Sequence, residues 1–204
     1  MTGRFRVVDT GVLEGRFNIA IDQAMIEEHQ AGRIPDTFRF MRFPPTALIG
    51  RHQALRQEID VDHCRAHGIG IVRRITGGGA IYLDEGQLGW GLVFHRKALS
   101  ATCLAGLASD ICEAVAAGLR RLGVDARYRP RNDIEVDGRK ISGTGGFFDG
   151  DTLIYQGTVL VDMNPAAMVA ALRVPRAKLE KRQLDSAAQR VVTLRELLGP
   201  ATHG

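Results

Sequence analysis

Long apolar segments are missing from this sequence. No apolar run approaches the roughly 18 residues that would span a bilayer, although 45% of the residues are hydrophobic. The N-terminal stretch "MTGRFRVVDTG" contains arginines but no apolar segment followed by a small-residue cleavage site, so it does not read as a secretory signal. The sequence therefore predicts a protein without a membrane segment, located in the cytoplasm.

Cysteine and metal-ligand patterns are also scarce. The three cysteines, Cys64, Cys103 and Cys112, have no CxxC spacing, and we expect reduced, buried thiols. His63 and His67 are spaced i, i+4 on a predicted helix, but no third ligand type is evident. We therefore expect neither a disulfide framework nor a resident metal site.

The sequence lacks the common nucleotide and hydrolase fingerprints. It has no G-x-x-x-x-G-K-[ST] loop and no G-x-S-x-G elbow. A net charge of +4 would suit an acidic partner or a phosphate-bearing ligand. The basic residues are scattered and lack interleaved aromatic residues, so nucleic acid is not a predicted partner.

What is present is the pattern of one ordinary globular domain. A chain of 204 residues can bury a sizeable core without staples. Apolar periodicity predicts helices over 18–32, 61–68 and 102–122, another after the Asn164-Pro165 cap, and a helical tail reaching Leu198. Because strands and helices do not alternate regularly, we expect an α+β fold with a mixed or antiparallel sheet flanked by helices.

The strand pattern predicts three groupings. Alternation predicts strands over 37–43 and from Thr46, arranged like a hairpin, and a pair of strands over 79–82 and 87–95. The turn dipeptides Asp137-Gly138 and Asp149-Gly150 predict an antiparallel meander of about three strands. The segment "GIVRR" is the strand that leads into a glycine loop.

The glycine loop is the first candidate site. Gly77, Gly78 and Gly79 allow a ligand to lie directly against backbone N–H groups, at an entropy cost that a mere turn would not justify. Arg73, Arg74 and Thr76 precede them and would provide counter-charge and a hydroxyl donor for an anion. A tight turn with surface arginines is the alternative interpretation.

The second candidate site is the segment "DGRKISGTGG". Lys140 falls inside a strand pattern, three residues before a further glycine cluster. On its own this lysine could point to solvent from a sheet edge. Together with two glycine clusters, it becomes a candidate point charge for an α-phosphate or a developing carbonyl oxyanion.

Four motifs, in order, resemble those of the lipoate–protein ligases. "RRITGGGAIYLDEGQL" is similar to their arginine–arginine–x–threonine/serine–triple-glycine signature, and "NDIEVDGRKISGTGG" to the asparagine–aspartate segment that leads to their catalytic lysine. "NIAIDQAMIEE" and "TALIGRHQ" resemble the first helix and an early strand. The resemblance covers about residues 5 to 198 and implies the catalytic-domain fold of the class II biotin and lipoate ligases.

The resemblance implies an ATP-dependent reaction. Lipoate and Mg-ATP would give lipoyl-adenylate, and the lysine of an acceptor lipoyl domain would then attack it. Lys140 would be the catalytic residue, and an apolar tunnel beside the first helix and the "TALIG" strand would hold the acyl chain. The implied adenylate-binding residues are Arg74, Thr76, Gly77, Gly78, Gly79, Ala80, Asp84, Gln87, Asn132, Asp133 and Gln156.

The sequence departs from the ligase pattern in several positions. Leu83 and Gln87 stand where ligases usually have histidine and asparagine, and "GQL" resembles the octanoyltransferase branch. Gln156 replaces a common histidine, and "GTGG" replaces a serine–alanine segment. We expect residues 1–204 to form a single catalytic domain without the C-terminal accessory domain of such ligases, and therefore either a separate accessory subunit or the transfer half-reaction alone.

Two alternatives to a ligase remain open. An octanoyl or lipoyl transferase would need an activated thiolate near the lysine, yet no cysteine follows Cys112 or immediately precedes Lys140. This absence favours the ligase. A non-catalytic lipoate- or nucleotide-binding module is the other alternative, and the presence of Lys140 weighs against it.

Overall fold

The structure is a computed structural model that describes residues 5–98, 103–173 and 190–199. Its strands are β1 Arg6–Val12, β2 Thr37–Arg42, β3 Thr46–Ile49, β4 Gly70–Arg73, β5 Ile81–Leu83, β6 Gln87–His95, β7 Arg127–Arg129, β8 Asp133–Val136, β9 Arg139–Asp149 and β10 Thr152–Leu160. Its α-helices are α1 Gly15–Gln30, α2 Leu55–Glu58, α3 Val61–Ala66, α4 Leu104–Arg121, α5 Pro165–Ala171 and α6 Leu194–Leu198. A 3₁₀ turn covers Arg96–Ala98.

Two mixed sheets form the framework, and the predicted α+β class is confirmed. The larger sheet has seven strands in the order β1-β2-β6-β10-β9-β8-β7, and the smaller has three in the order β4-β3-β5. β1 runs parallel to β2, and β4 parallel to β3, whereas every other pairing is antiparallel. The predicted meander is present as β8, β9 and β10.

The other two predicted strand groupings are wrong. β2 and β3 are consecutive in the chain but belong to different sheets, and so do β5 and β6. Alternation shows that a segment is a strand but not which neighbour it pairs with. The sequence pattern does not predict β1, which forms a strand by pairing in parallel with β2. Of the predicted helical tail, residues 174–189 lie outside the described part, and α6 is what the structure describes.

Each sheet has its own apolar core. The buried face of α4, which includes Leu107, Ile111 and Leu119, packs with Trp90 and Phe94 of the large sheet. A second cluster joins the small sheet to α3 and α5 through Ala47, Ile49, Ile59, Cys64, Tyr82 and Ala171. Apolar burial of this kind, at roughly 25 cal/mol per Å², supplies most of the driving force for folding.

A buried arginine ties the first helix to the edge of the large sheet. Arg39 on β2 has no exposed surface, and its guanidinium donates to Thr10 Oγ1, to the Asn18 carbonyl and to Asp22 Oδ1 at 2.7 Å. Asn18 in turn donates to the carbonyls of Leu13 and Arg42. A buried charge is tolerated when it is paired and hydrogen-bonded in this way.

The cysteines match the expectation only in part. Cys64 and Cys112 are buried free thiols, but Cys103 is exposed. Cys103 precedes α4 in an extended conformation, so it lies outside the helical face that packs on the sheet. Among the described residues, no helix is long and apolar enough to cross a membrane.

Two glycines are expected to respond to the same substitution with opposite signs. A Cβ at Gly157 would lie 2.4 Å from Trp90 Cζ2, whereas a Cβ at Gly118, on the exposed side of α4, would meet nothing within 4 Å. Gly157→Ala should lower the free energy of unfolding by about 1 to 3 kcal/mol through overpacking. Gly118→Ala should raise it by about 0.5 to 1 kcal/mol, because alanine loses less entropy in a helix.

Urea unfolding of both variants beside the parent protein measures this difference. A stabilising Gly157→Ala would contradict the close packing of Trp90 against this strand.

Candidate functional site

A cleft of about 1250 Å³ lies where the two sheets meet. Its walls come from the small sheet, from β6, β9 and β10 of the large sheet, and from the loop between β4 and β5. One part of the cleft is lined by apolar side chains that pack in a single cluster, namely Ile19, Met41, Phe43, Leu48 and Ile81. A cleft that combines an apolar part with a few placed polar groups is the usual form of a small-molecule site.

Arg74 holds the glycine loop in place. Its Nη2 donates to the carbonyl oxygens of Gly77 and Gly79, both at 2.7 Å, and its Nε donates to the Gly77 carbonyl at 3.2 Å. Gly78, between them, has φ +95°, a conformation that glycine adopts without strain. Burial lowers the pKa of the Arg74 guanidinium. Arg74 lines the cleft as expected, but its fork is directed at the loop's own carbonyls.

Arg73 holds the neighbouring loop, residues 50–53, by donating to its carbonyl oxygens in the same way. Its Nη1 donates to the carbonyls of Gly50 and Gln53 at 2.9 Å and of Arg51 at 3.1 Å. The two loops touch: a Cβ at Gly50 would lie 2.0 Å from the Gly78 carbonyl oxygen, and Arg51 N donates to the Thr76 carbonyl. Each arginine of the "RR" pair therefore organises one loop, a role that the sequence did not reveal.

Lys140 lines the cleft from strand β9 of the large sheet. Its Nζ is 2.7 Å from Asp133 Oδ1, and its side chain remains 39% exposed. The aliphatic end passes over Gly143, where a Cβ would come within 2.7 Å of Nζ. The glycine at this position therefore leaves room for the lysine to lie along the sheet.

The backbone of Lys140 is held from both sides. On one side, β8 and β9 shift register between Ile134 and Glu135, so that Glu135 pairs with Lys140. On the other side, Lys140 N donates to the Arg190 carbonyl at 2.8 Å, and Val192 N donates to the Lys140 carbonyl at 2.9 Å. The lysine thus projects from a strand that is anchored by both neighbours, which favours a reproducible position.

Asn132 and Thr144 fix the loop that precedes Asp133. Asn132 Nδ2 donates to the Thr144 carbonyl, and the Asn132 carbonyl accepts from Thr144 N and Oγ1. The Thr144 hydroxyl also lies 2.8 Å from Tyr155 Oη and 3.4 Å from Cys112 Sγ. Burial raises the pKa of the Tyr155 phenol, so this hydroxyl stays protonated.

A buried polar pair lies in the part of the cleft beside α1. Gln156 Nε2 donates to Asp22 Oδ2 at 2.6 Å, and both residues line the cleft. Burial raises the pKa of the Asp22 carboxyl to about 6, although Arg39 and Gln156 both act to lower it. Asp22 was missed by the sequence analysis. The sequence does contain a sign of its position, because Asp22 is an acidic residue on the same helix face as the apolar Ile19 and Ile26.

The structure brings most of the expected site residues together. Ten of them line the cleft: Arg74, Thr76, Gly77, Gly78, Gly79, Ala80, Gln87, Asn132, Lys140 and Gln156. Gln87 is buried and donates to the Tyr82 carbonyl, which links the two sheets at the cleft. Asp84 and Asp133 are not lining residues: Asp84 accepts from Gly86 N in the β5–β6 turn, and Asp133 holds Lys140 from beside the cleft.

The cysteines lie away from the cleft surface. All three belong to the described residues, and none of them lines the cleft. Cys112 lies behind the wall that Thr144 and Tyr155 form, and Cys103 immediately precedes the lining residue Leu104.

Comparison with known sequences gives one family. The family model described as the lipoyl protein ligase A/B catalytic domain matches residues 14–203. An octanoyltransferase LipM from Moorella thermoacetica is 29% identical over 96% of this chain and 79% of its own length. Lipoate-protein ligase LplJ from Bacillus subtilis is 33% identical over 90% of this chain, which spans 54% of that protein.

Solved structures give the same result. A bipartite lipoate protein ligase from Thermoplasma acidophilum, studied with its E2 lipoyl domain, aligns with a TM-score of 0.87 at 26% identity, covering 98% of this chain and 78% of that one. A lipoate-protein ligase A bound with ATP aligns with a TM-score of 0.82 at 27% identity, covering 98% and 79%.

Exchanging either arginine of the "RR" pair should loosen one loop. Arg74→Lys loses the fork that reaches Gly77 and Gly79, so we expect faster amide hydrogen exchange in residues 77–80. Arg73→Lys is the matched control, and exchange should rise first in residues 50–53. If Arg73→Lys alone loosened residues 77–80, the assignment of one arginine to each loop would be wrong.

The raised pKa of Asp22 predicts a pH-dependent stability difference. The Asp22 carboxyl keeps its proton to about pH 6 in the folded protein, whereas the ordinary pKa of an aspartate carboxyl is 3.8. Between these two pH values the unfolded chain has lost the proton while the folded protein still holds it, so the free energy of unfolding falls as the pH rises. The stabilising contribution of Asp22 is therefore complete below pH 3.8 and is lost as the pH rises to about 6. The advantage of the parent protein over Asp22→Asn should shrink by on the order of 2 kcal/mol across this range.

Urea unfolding between pH 4 and 8 measures the effect, because groups other than Asp22 titrate alike in both proteins. Asp110→Asn, on the exposed side of α4, should show no such trend. A constant difference between the parent protein and Asp22→Asn would contradict the raised pKa.

Proposed function

Because the chain belongs to the lipoyl protein ligase A/B catalytic domain family, an enzyme family of lipoate ligases and octanoyltransferases, we propose that it is an ATP-dependent lipoate–protein ligase. It activates lipoate with Mg-ATP and transfers the lipoyl group to a lysine of an acceptor lipoyl domain. The observation that carries this proposal is that Lys140, from the large sheet, and the glycine loop, from the small sheet, line one cleft that no cysteine lines.

The proposed reaction has two displacements. In the first, a carboxylate oxygen of lipoate attacks the α-phosphorus of ATP, the bond from this phosphorus to the α,β-bridging oxygen breaks, and pyrophosphate leaves. In the second, the neutral ε-amino nitrogen of the acceptor lysine attacks the acyl carbon. The bond to the AMP oxygen breaks, AMP leaves with the electron pair, and the amine loses a proton.

Lys140 stabilises the charge that develops in both displacements. Its ammonium lies at the cleft wall with Asp133 as its partner, so it is oriented before the substrate binds. A preorganised cation of this kind lowers the barrier because no reorganisation is needed as the charge develops. The bare backbone at Gly77 and Gly79 allows the adenylate to approach closely, and the apolar part of the cleft takes the acyl chain.

Magnesium in this proposal arrives with the nucleotide. Among the described residues, no cluster of three or more His, Cys, Asp or Glu side chains could hold a metal ion. Mg²⁺ commonly binds through substrate phosphates and only one or two carboxylates, and Asp133 is a carboxylate beside the Lys140 wall. The residues present therefore fit Mg-ATP as a substrate, in which the ion offsets phosphate charge.

Two features of the relatives support the proposed partners. The bipartite archaeal ligase was studied with its E2 lipoyl domain, and the ATP-bound ligase aligns over nearly all of this chain. We propose that residues 1–204 form one catalytic domain, that the acceptor is a lipoyl domain, and that a separate accessory subunit assists adenylation.

Octanoyl transfer without ATP is the second candidate. The similarity to octanoyltransferase LipM over 79% of its length favours it. Such a reaction would pass the acyl group through a cysteine thioester, which requires a reactive and accessible thiolate. Cys112 is fully buried, and Cys103, though exposed, does not line the cleft, so the thiols are poorly placed for this step.

The two functions are separated by their acyl donors. The protein is incubated with a lipoyl-domain acceptor and either lipoate with Mg-ATP or octanoyl carrier protein, with and without an accessory subunit of the archaeal type. Acceptor mass and pyrophosphate are measured. We expect modification only with lipoate and Mg-ATP, and a loss of at least about 100-fold in Lys140→Ala.

Lys97→Ala, in the exposed 3₁₀ turn, is the matched lysine control and should keep full activity. Modification from octanoyl carrier protein alone, abolished by Cys103→Ser or Cys112→Ser, would show that the protein is a transferase. Binding of lipoyl-AMP without any product would indicate a non-catalytic module.

A further inference from the structure

Among the residues that the structure describes, three cationic side chains line the cleft, and two of them are already engaged. Arg74 donates to the carbonyls of Gly77 and Gly79, and Lys140 pairs with Asp133. Arg131 is the third lining cation, and its side chain has no carboxylate or carbonyl partner among the residues that the structure describes. A site for a highly charged anion needs such an uncommitted cation, because the engaged ones are partly neutralised.

The backbone around Arg131 is fixed although its side chain is exposed. Tyr128 Oη donates to the Arg131 carbonyl at 3.0 Å, and the next residue, Asn132, is held by Thr144 through both its side chain and its carbonyl. Tyr128, Asn132 and Thr144 are themselves lining residues. The Arg131 guanidinium is therefore exposed at the cleft, on a backbone segment that is held in place.

The position of Arg131 relative to Lys140 indicates which part of an anion it meets. Asp133, two residues along the chain, holds the Lys140 ammonium from beside the cleft. Arg131 is exposed at the surface, whereas Asp133 and Lys140 are only partly exposed. An extended polyphosphate that places its reacting phosphorus at Lys140 would have its outer phosphates on the solvent side, where Arg131 is the exposed cation among the lining residues.

We propose that Arg131 binds the outer, leaving phosphates of the nucleoside triphosphate. This inference rests on the proposed ATP-dependent function and adds a leaving-group contact to it. The guanidinium fork suits a phosphate bidentately and offsets the charge that pyrophosphate gains when its bond to the α-phosphorus breaks. A nucleoside monophosphate lacks these phosphates, so Arg131 should not affect its binding.

Nucleotide affinity tests the proposal with the catalytic chain alone. The dissociation constants of Mg-ATP and of AMP are measured by calorimetry for the parent protein, Arg131→Gln and Arg131→Lys. Arg131→Gln should weaken Mg-ATP binding by about tenfold or more and change AMP binding by less than about twofold. Arg131→Lys should recover part of the loss, because the charge is kept while the fork is lost.

Arg129→Gln is the matched control. Arg129 is a nearby exposed arginine that pairs with Glu135 and is not a lining residue of the cleft, so both affinities should stay as in the parent protein. A second readout follows the later half-reaction: transfer from preformed lipoyl-AMP should proceed normally in Arg131→Gln.

The possible outcomes are distinguishable. Equal weakening of Mg-ATP and AMP, or no weakening of either, would overturn the role of Arg131 and leave the ligase proposal standing. A parent protein that binds no Mg-ATP, either alone or with the accessory subunit, would overturn the ligase proposal and this inference with it.

Discussion

The hydrogen bonds from the guanidinium of Arg74 to the carbonyls of Gly77 and Gly79 are the constraint on which the cleft depends. A run of three glycines has no side chains to pack and loses much conformational entropy on ordering. The arginine fork offsets this cost by binding the loop's own carbonyls. The Gly50 loop, held by Arg73, then packs against the ordered glycines. One wall of the cleft therefore depends on two arginines that are adjacent in the sequence and that each hold one loop.

The opposite wall depends on several weaker constraints that act on one lysine. The register shift in β8, the open space at Gly143, the strand-like contact with residues 190–192 and the Asp133 carboxylate all converge on Lys140. Each contributes little by itself. Together they keep a long, flexible side chain oriented before any ligand arrives, which is how a preorganised cation lowers a barrier.

Charge and thiol placement bear differently on two closely related chemistries. Acyl-adenylate formation needs cations for phosphate and a bare backbone for close approach, and the cleft has both. A thioester route needs an accessible thiolate in the cleft, whereas Cys112 lies buried behind Thr144 and Tyr155, and the exposed Cys103 does not line the cleft. This contrast rests on the position of a few side chains within a shared fold, because a fold by itself does not specify a reaction.

Much of this protein was readable from the sequence, because local patterns encode it. Periodicity identified α1, α4 and the β8–β10 meander, and the two glycine-containing motifs named Lys140 and eight other residues that line the cleft. Strand partners were not readable, since β2 and β3, or β5 and β6, are adjacent in sequence yet belong to different sheets. Only the tertiary structure decided that Arg73 organises the Gly50 loop, that Asp22 is buried with Arg39, and that Arg131 lines the cleft, because each depends on contacts between segments distant in the chain.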